Sequence, residues 1–558
     1  MSRPALDVLA QHTLRTGTAG EVVVRGSAQT LGSLSFTIIV HPHTVVRPCT
    51  ISSVSGMPDP ARIATGAAVA VTAAAVVVAG LFIADHQDQR VEDTAPTPAS
   101  VVRPATNPLE LVTEDDAALA ISRRLFASSQ TVVLAAASNP DALTTAIRTA
   151  TELHVPVLID SQAAPMELAR LRAQTVLTVG DDVEAPRGHS IPVDEVLASA
   201  EVSRLAADPS VDLAAGKSHE LDTLVTVTSR GKQAAAVANA EAAGATVVEV
   251  KRGDPRQSPG AAQVLTARPT SPVIALDAPR DFAYTLDVVR RDAQQPTGGY
   301  LALPGKHYTA MYGHPGAPSL GVLGEQGVAA SVKRVERLAD KYRAVGNTEF
   351  VPTFEIIATV ASGSAGQDKN YSSETPISRL EPLVDAAEKA GIYVILDLQP
   401  GRTDFLTQAK RYRKLLVRPH VGLAVDPEWR LKKKQKHLEQ IGSVSASEIN
   451  RTSAWLAALT RQRSLPQKVF VVHQFSQSMV KDRRRLDTTH AELATVIHVD
   501  GSGGQSAKQS TWNHLRKKAP AGLAGWGWKN FVDEDAPMLT ARQTWAKVRP
   551  HPELITYQ

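Results

Sequence analysis

Short apolar runs alternate with amphipathic stretches through the last half of the chain. The runs predict strands within Tyr308–Gly313 and at Phe350–Val360, Ile392–Leu398, Val421–Val425, Lys468–Phe475, Ala494–Val499, Gly522–Trp528 and Leu554–Tyr557. Helical spacing falls between them, at Ser331–Tyr342, Ile377–Ala390, Phe405–Leu416, Ala446–Arg463, Ala507–Lys518 and Leu539–Val548. Eight strands in about 260 residues match a TIM-like (β/α)8 barrel over 297–558 that lacks its last helix. An open doubly wound sheet is the alternative.

Residues 108–290 carry the same alternation in smaller units. Apolar runs at Thr131–Ala135, Val155–Ile159, Thr175–Val179, Leu224–Val227, Thr246–Val250 and Val273–Leu276 read as strands. A helix over Asn139–Leu153 opens on Asn-Pro. The spacing implies a small, Rossmann-like α/β domain with parallel sheets and helices on their faces. No strand is followed by G-x-G-x-x-G, so a dinucleotide site lacks support.

The N-terminal part follows another pattern. Ile63 to Ala84 is about 22 residues without a charge, long enough for a transmembrane or signal-anchor helix. Arg62 precedes it; Asp85, Asp88, Glu92 and Asp93 follow, which orients the bulk of the chain outside the cytoplasm. Residues 85–107 read as a linker rich in proline, threonine and acids. Residues 1–62 read as a disordered or mis-assigned tail, with Met57 a second candidate start.

Composition narrows the classes. One cysteine, Cys49, excludes a disulfide within the chain. The net charge of +4 is unevenly spread: no lysine precedes Lys217, whereas 430–436 (RLKKKQK) and 481–485 (KDRRR) are basic runs. Such runs read as solvated surface, with attraction to an anionic wall polymer as the second reading. Interleaved aromatics and a nucleic-acid motif are missing, so nucleic acid is not an expected partner.

Polar residues gather at the predicted C-terminal strand ends, where a barrel of this kind holds its site. Tyr312 and His314 follow the first strand, and Glu355 lies in the second. Asp397 and Gln399 end the third; Asp426, Glu428 and Trp429 follow the fourth. His473 ends the fifth, Asp500 the sixth, and Trp526, Trp528 and Lys529 the seventh. Paired carboxylates beside aromatic faces suit glycoside cleavage, where one acid protonates the leaving oxygen and the other attacks or activates water. The expected catalytic set is Asp397, Asp426 and Glu428. Tyr312, His314, Glu355, Gln399, Trp429, His473, Asp500, Trp526 and Trp528 are expected to bind substrate. The sequence leaves open which carboxyl is the acid. Each residue also has a structural reading: a lone strand-end carboxylate as a helix cap, His473 as a satisfied core histidine, the two tryptophans as packing. His498 and Asp500 share a strand face beside His473, but no H-E-x-x-H or similar spacing exists, so neither metal nor cofactor is expected.

Two resemblances add to this reading. The run DAALAISRRLFASSQTVVLAAASNPDALTTAIRTATELHVPVLIDSQ, then TVLTVGDDV, is similar to the cell-wall-binding repeat 2 family, with a degenerate second copy over 224–277. The segments LDLQPGRTDF (396–405), RPHVGLAVDPEW (418–429), IGSVSASEIN (441–450), LPQKVFVVHQFSQSMV (465–480) and HVDGSG (498–503) resemble a family of actinobacterial secreted proteins and lipoproteins with a glycosidase-like barrel. The resemblances imply a cell-envelope protein, secreted or held by its N-terminal helix. Its expected partners are the membrane and an envelope polysaccharide or peptidoglycan-associated glycan. A non-catalytic wall-binding or scaffold protein is the other class.

Overall fold

The computed structural model describes residues 100–113, 115–180, 183, 189–192 and 216–558, together with three strands before residue 40. It divides into two units, Met1–Pro96 and Thr97–Gln558. In the first, Gln11–Gly17, Glu21–Ser27 and Ser33–Ile39 form an antiparallel meander, within the stretch expected to be a tail. The apolar segment 63–84 and the linker 85–107 up to residue 99 lie outside the described residues. Among the described residues no helix is long and apolar enough to cross a membrane.

The second unit begins with two four-stranded parallel sheets. One runs in the order 189–192, 175–179, 131–135, 157–159; the other in the order 246–249, 224–227, 273–276, 109–112. Each centres on its first β-α strand, with the next strand on one side and the third on the other. The two halves therefore share a topology, although the fourth strand of the second sheet comes from the start of the region. Asn139 caps its helix as the Asn-Pro pair predicted, accepting from the Asp141 and Ala142 amides at 3.0 and 3.1 Å.

Eight parallel strands then close into a barrel. They are β1 (Lys306–Gly313), β2 (Glu349–Ala361), β3 (Tyr393–Leu398), β4 (Val421–Val425), β5 (Lys468–Gln474), β6 (Leu493–Val499), β7 (Gly525–Asn530) and β8 (Leu554–Tyr557). Helices α1 (Val328–Arg343), α2 (Ile377–Ala390), α3 (Phe405–Arg411), α4 (Ala446–Gln462), α5 (Gln505–Arg516) and α6 (Ala541–Lys547) lie on the outside. The expected helix 405–416 breaks at Tyr412, whose hydroxyl donates to the carbonyls of Ala358 and Thr375. Only 3-10 turns follow β5 before β6.

The period of two along each strand sorts side chains between two cores. Phe354, Ile356, Val394, Leu396, Leu423, Phe470 and Ile497 face the helices. Tyr308, Ala310, Val351, Ile395, Ala424, Val471 and Val496 fill the lumen. Ala302 and Leu303 plug the lower end, held by the Gln467 carboxamide. The half carrying the second α/β sheet docks at that same end. Tyr284 donates to the Leu465 carbonyl at 2.7 Å, Arg461 pairs with Asp281, and Arg256 reaches the Ala491 carbonyl. The C-terminal strand ends face the other way.

Gly527 in β7 is set by what it faces. A Cβ there would lie 2.2 Å from the His498 ring in β6. Gly527→Ala is therefore expected to destabilise the barrel by roughly 1–3 kcal/mol through overpacking. Urea unfolding followed by tryptophan fluorescence checks this, and an unchanged midpoint would contradict it.

Candidate functional site at the barrel mouth

One layer above the aliphatic lumen, every strand contributes a polar side chain. Continuing the inward alternation, these are Tyr312 (β1), Glu355 (β2), Asp397 (β3), Asp426 (just past β4), His473 (β5), His498 (β6), Lys529 (β7) and Thr556 (β8). All eight are buried. Asp500 and Glu428 stand one step nearer the mouth, Asp500 buried and Glu428 half-buried.

His473 is the hub. Its Nδ1 lies 2.8 Å from Asp500 Oδ2, its Nε2 lies 2.8 Å from Glu355 Oε1, and Asp397 Oδ1 is 3.9 Å away. Burial works against a charge on this ring, but the carboxylates of Glu355 and Asp397 and the hydrogen bond to Asp500 hold its pKa well above the usual histidine range. In the protonated form this favours, the ring donates to both Asp500 and Glu355. His498 is its opposite. Burial and the neighbouring positive His473 push its pKa well down, and Thr556 Oγ1 meets its Nε2 at 3.1 Å.

The carboxyl groups separate in the same way. Burial raises Asp397, against the pull of His473, with Glu355 adding to the rise. Its Oδ2 accepts from Tyr312 at 2.9 Å, and Gln399 Nε2 reaches the Tyr312 hydroxyl at 3.3 Å. Burial carries Asp426 well above the usual range, and Asp397, Glu428 and Asp500 reinforce it. Burial and the Asp500 charge bring Glu428 to about 7. Asp500 moves down: burial would raise it, but the hydrogen bond and charge of His473, with Lys529, hold it ionised. Lys529 Nζ also sits 3.6 Å from the centre of the Tyr312 ring, a cation–π contact.

Three buried carboxylate oxygens point inward without a hydrogen-bond partner: Glu355 Oε2, Asp397 Oδ1 and Asp500 Oδ1. Two donor sets have the proximity to hold a metal ion, Glu355–His473–His498 and Asp426–His473–Asp500, each with donor atoms within 4.8 Å of one another. Both need His473, whose two nitrogens already serve carboxylates, so coordination there would first displace a proton.

Of the residues expected at the site, Tyr312, Glu355, Asp397, Gln399, Asp426, Glu428, His473 and Asp500 come together. Trp429 lies half-buried on the rim, edge-on to His437 at 5.3 Å. His314 turns to Thr375 Oγ1 at 3.0 Å, on the β1 loop rather than against the acids. Trp526 and Trp528 are corrections. They occupy outward positions of β7, with Trp512 of α5 at 6.2 and 5.8 Å, and belong to the packing between barrel and helix. Inward positions alternate with outward ones, and Gly527 and Lys529 take the inward places. His498, Lys529 and Thr556 are members of the layer absent from the expected set; strand parity with Val496, Gly527 and Leu554 is the signal that marks them.

No family model matches the chain, and no curated protein matches it. Among solved structures, the barrel enzyme β-glucuronidase of Parabacteroides merdae is 10% identical with a TM-score of 0.25, covering 45% of this chain and 31% of that one. Cwp6 from Clostridium difficile is 10% identical with a TM-score of 0.16, covering 61% of this chain and 66% of that one. The chain thus spans less than a third of the length of the glucuronidase. Likeness at these scores says nothing about chemistry.

Removing the hub leaves Asp500 and Glu355 buried without their cation. His473→Gln is expected to lose roughly 3–5 kcal/mol at pH 7. The contribution of His473 is full below the ordinary histidine pKa and fades only as pH rises through its raised value. By that linkage the deficit is as large at about pH 5 as at pH 7 and narrows only in the alkaline range. Denaturant unfolding of both proteins across the acid, neutral and alkaline ranges checks this; a deficit that shrinks toward acid pH would contradict it.

Proposed function

We propose that the barrel cleaves glycosidic bonds in a polysaccharide of the cell envelope, with Glu428 as general acid and Asp500 as the ionised partner. The observation that carries this reading is the opposite displacement of two interacting carboxyl groups at one end of the barrel: Glu428 raised to about 7, Asp500 lowered. A glycosidase needs such a split, with one carboxyl protonated to donate to the leaving oxygen and one charged to attack the sugar or activate water. Asp500 Oδ1 is buried without a hydrogen-bond partner. His473 holds Asp500 in place through the other oxygen. Burial and the Asp500 charge, with a smaller push from Asp397, raise Glu428, and the half-buried Trp429 face offers a surface for sugar C–H groups. Asp426 and Asp397, candidate catalytic groups from the sequence, become positioning groups here. The envelope location, the N-terminal anchor and wall binding by the paired α/β sheets belong to the same proposal.

A glycan-binding scaffold that does not cut is the second reading. It is favoured by the complete burial of Glu355, Asp397 and His473, which act as an internal brace.

Screening envelope polysaccharides with reducing-end detection tests the proposal. Glu428→Gln is expected to lower kcat by about 10²- to 10⁴-fold, and by less on aryl glycosides whose leaving group needs no proton. Asp500→Asn is expected to abolish turnover of both. Because the acid works only while protonated, kcat/KM should fall as pH rises through about 7. Wild-type rates in both variants, or glycan bound without new reducing ends, would overturn the assignment.

A further inference from the structure

The two basic runs of the sequence lie some fifty residues apart, and the fold joins them. Val444 and Ser445, after β4, pair in parallel with Val480 and Lys481, after β5. The pairing forms two adjoining concavities that share Lys481. One, of about 450 Å³, is lined by Arg402, Arg430, Lys432 and Lys433 among others. The other, of about 640 Å³, is lined by Arg484, Arg485 and Lys518 with their neighbours. Lys432, Lys433, Lys481, Arg484, Arg485 and Lys518 are exposed, and none has an ion pair among the described residues. Glu448 is already paired with Arg430 at 2.9 Å. Arg483 also lines the second concavity, beside Asp482. It is buried and ties the loop down, donating to Gln474 Oε1 at 3.0 Å and to the carbonyls of Leu515 and Lys517 at 2.7 and 2.8 Å.

The groove opens on the same barrel end as the acid layer. Arg430 follows Glu428 by two residues and bridges to Gly401, next to Arg402. A chain laid along the basic groove would therefore reach the mouth at Glu428. We propose that this groove binds a glycan bearing repeated anionic groups, carboxylates or phosphodiesters, and feeds it to the mouth. This deepens the glycosidase reading and rests on it for the identity of the polymer as a glycan. Fixed cations on a preformed concave surface attract such a polymer by releasing its condensed counterions. No aromatic side chain lines either concavity, so the stacking that single-stranded nucleic acid uses is missing. A concave track also suits a linear chain better than a flat bilayer.

The test uses the full chain carrying Glu428→Gln, so that a bound polymer stays intact. Polygalacturonate and phosphomannan are titrated by calorimetry, with dextran, single-stranded DNA and phosphatidylglycerol vesicles as competitors. At least one anionic glycan is expected to bind, the two arms telling carboxylate from phosphodiester. Its affinity should fall about a hundredfold between about 50 and 200 mM salt. Lys432→Glu with Lys433→Glu and Lys481→Glu should weaken it at least about tenfold. Equal binding by dextran, no salt dependence in the parent chain, an unaffected triple variant, or tighter binding to DNA or vesicles would each overturn the proposal. A chain that cuts neutral glycans and ignores anionic ones refutes the groove alone. Binding without cutting, by the chain with Glu428 restored, refutes the glycosidase alone.

Discussion

A protonated imidazole in the lumen of a closed sheet is the constraint on which the rest depends. Eight parallel strands turn every second side chain into one enclosed space, and at the level of Glu355 that space is filled with acids instead of aliphatic groups. Carboxylates taken out of water repel one another and lose their hydration. His473 makes the arrangement tenable by donating one ring N–H to Asp500 and the other to Glu355. Lys529 adds the second positive charge, over the Tyr312 ring.

The division of roles among the acids follows from their distance to that charge. Asp500 bonds His473 directly and is pulled down; Glu428 lies outside that bond and is pushed up, first by burial and then by the Asp500 charge. The split is thus a by-product of the brace. On the reading proposed above, the raised Glu428 and lowered Asp500, edged by a basic groove, would take an extended sugar chain carrying negative charge. The half carrying the second α/β sheet docks at the opposite end.

Much of this was legible in the residues. Val421–Val425 and Leu554–Tyr557 are short, uniformly apolar runs between turn residues, and they fold with the expected bounds. Ile377–Ala390 likewise keeps its bounds, closed by Gly391 in the left-handed region at φ 68°. Strand-end polarity located Asp397, Asp426, His473 and Asp500 at one end of the barrel. Other features were hidden because they depend on direction or on contacts far apart in the chain. A tryptophan reads the same inward or outward, and only the parity of Lys529 tells that Trp528 packs on α5. The second α/β sheet keeps its topology while its motif residues drift, since buried β-branched strands and alanine-rich helices suffice to build it. The union of the two basic runs rests on a two-residue pairing that no local pattern announces.

The charge on His473 is the point at which the account is most exposed. Nitrogen-15 NMR of the histidine-labelled chain, with His473→Gln used for assignment, reads that charge directly. The account predicts that the His473 ring keeps the two-proton imidazolium signature at pH 8, where an ordinary histidine has lost it. A neutral ring at that pH would leave the acid layer without its cation and the opposed behaviour of Glu428 and Asp500 without a cause.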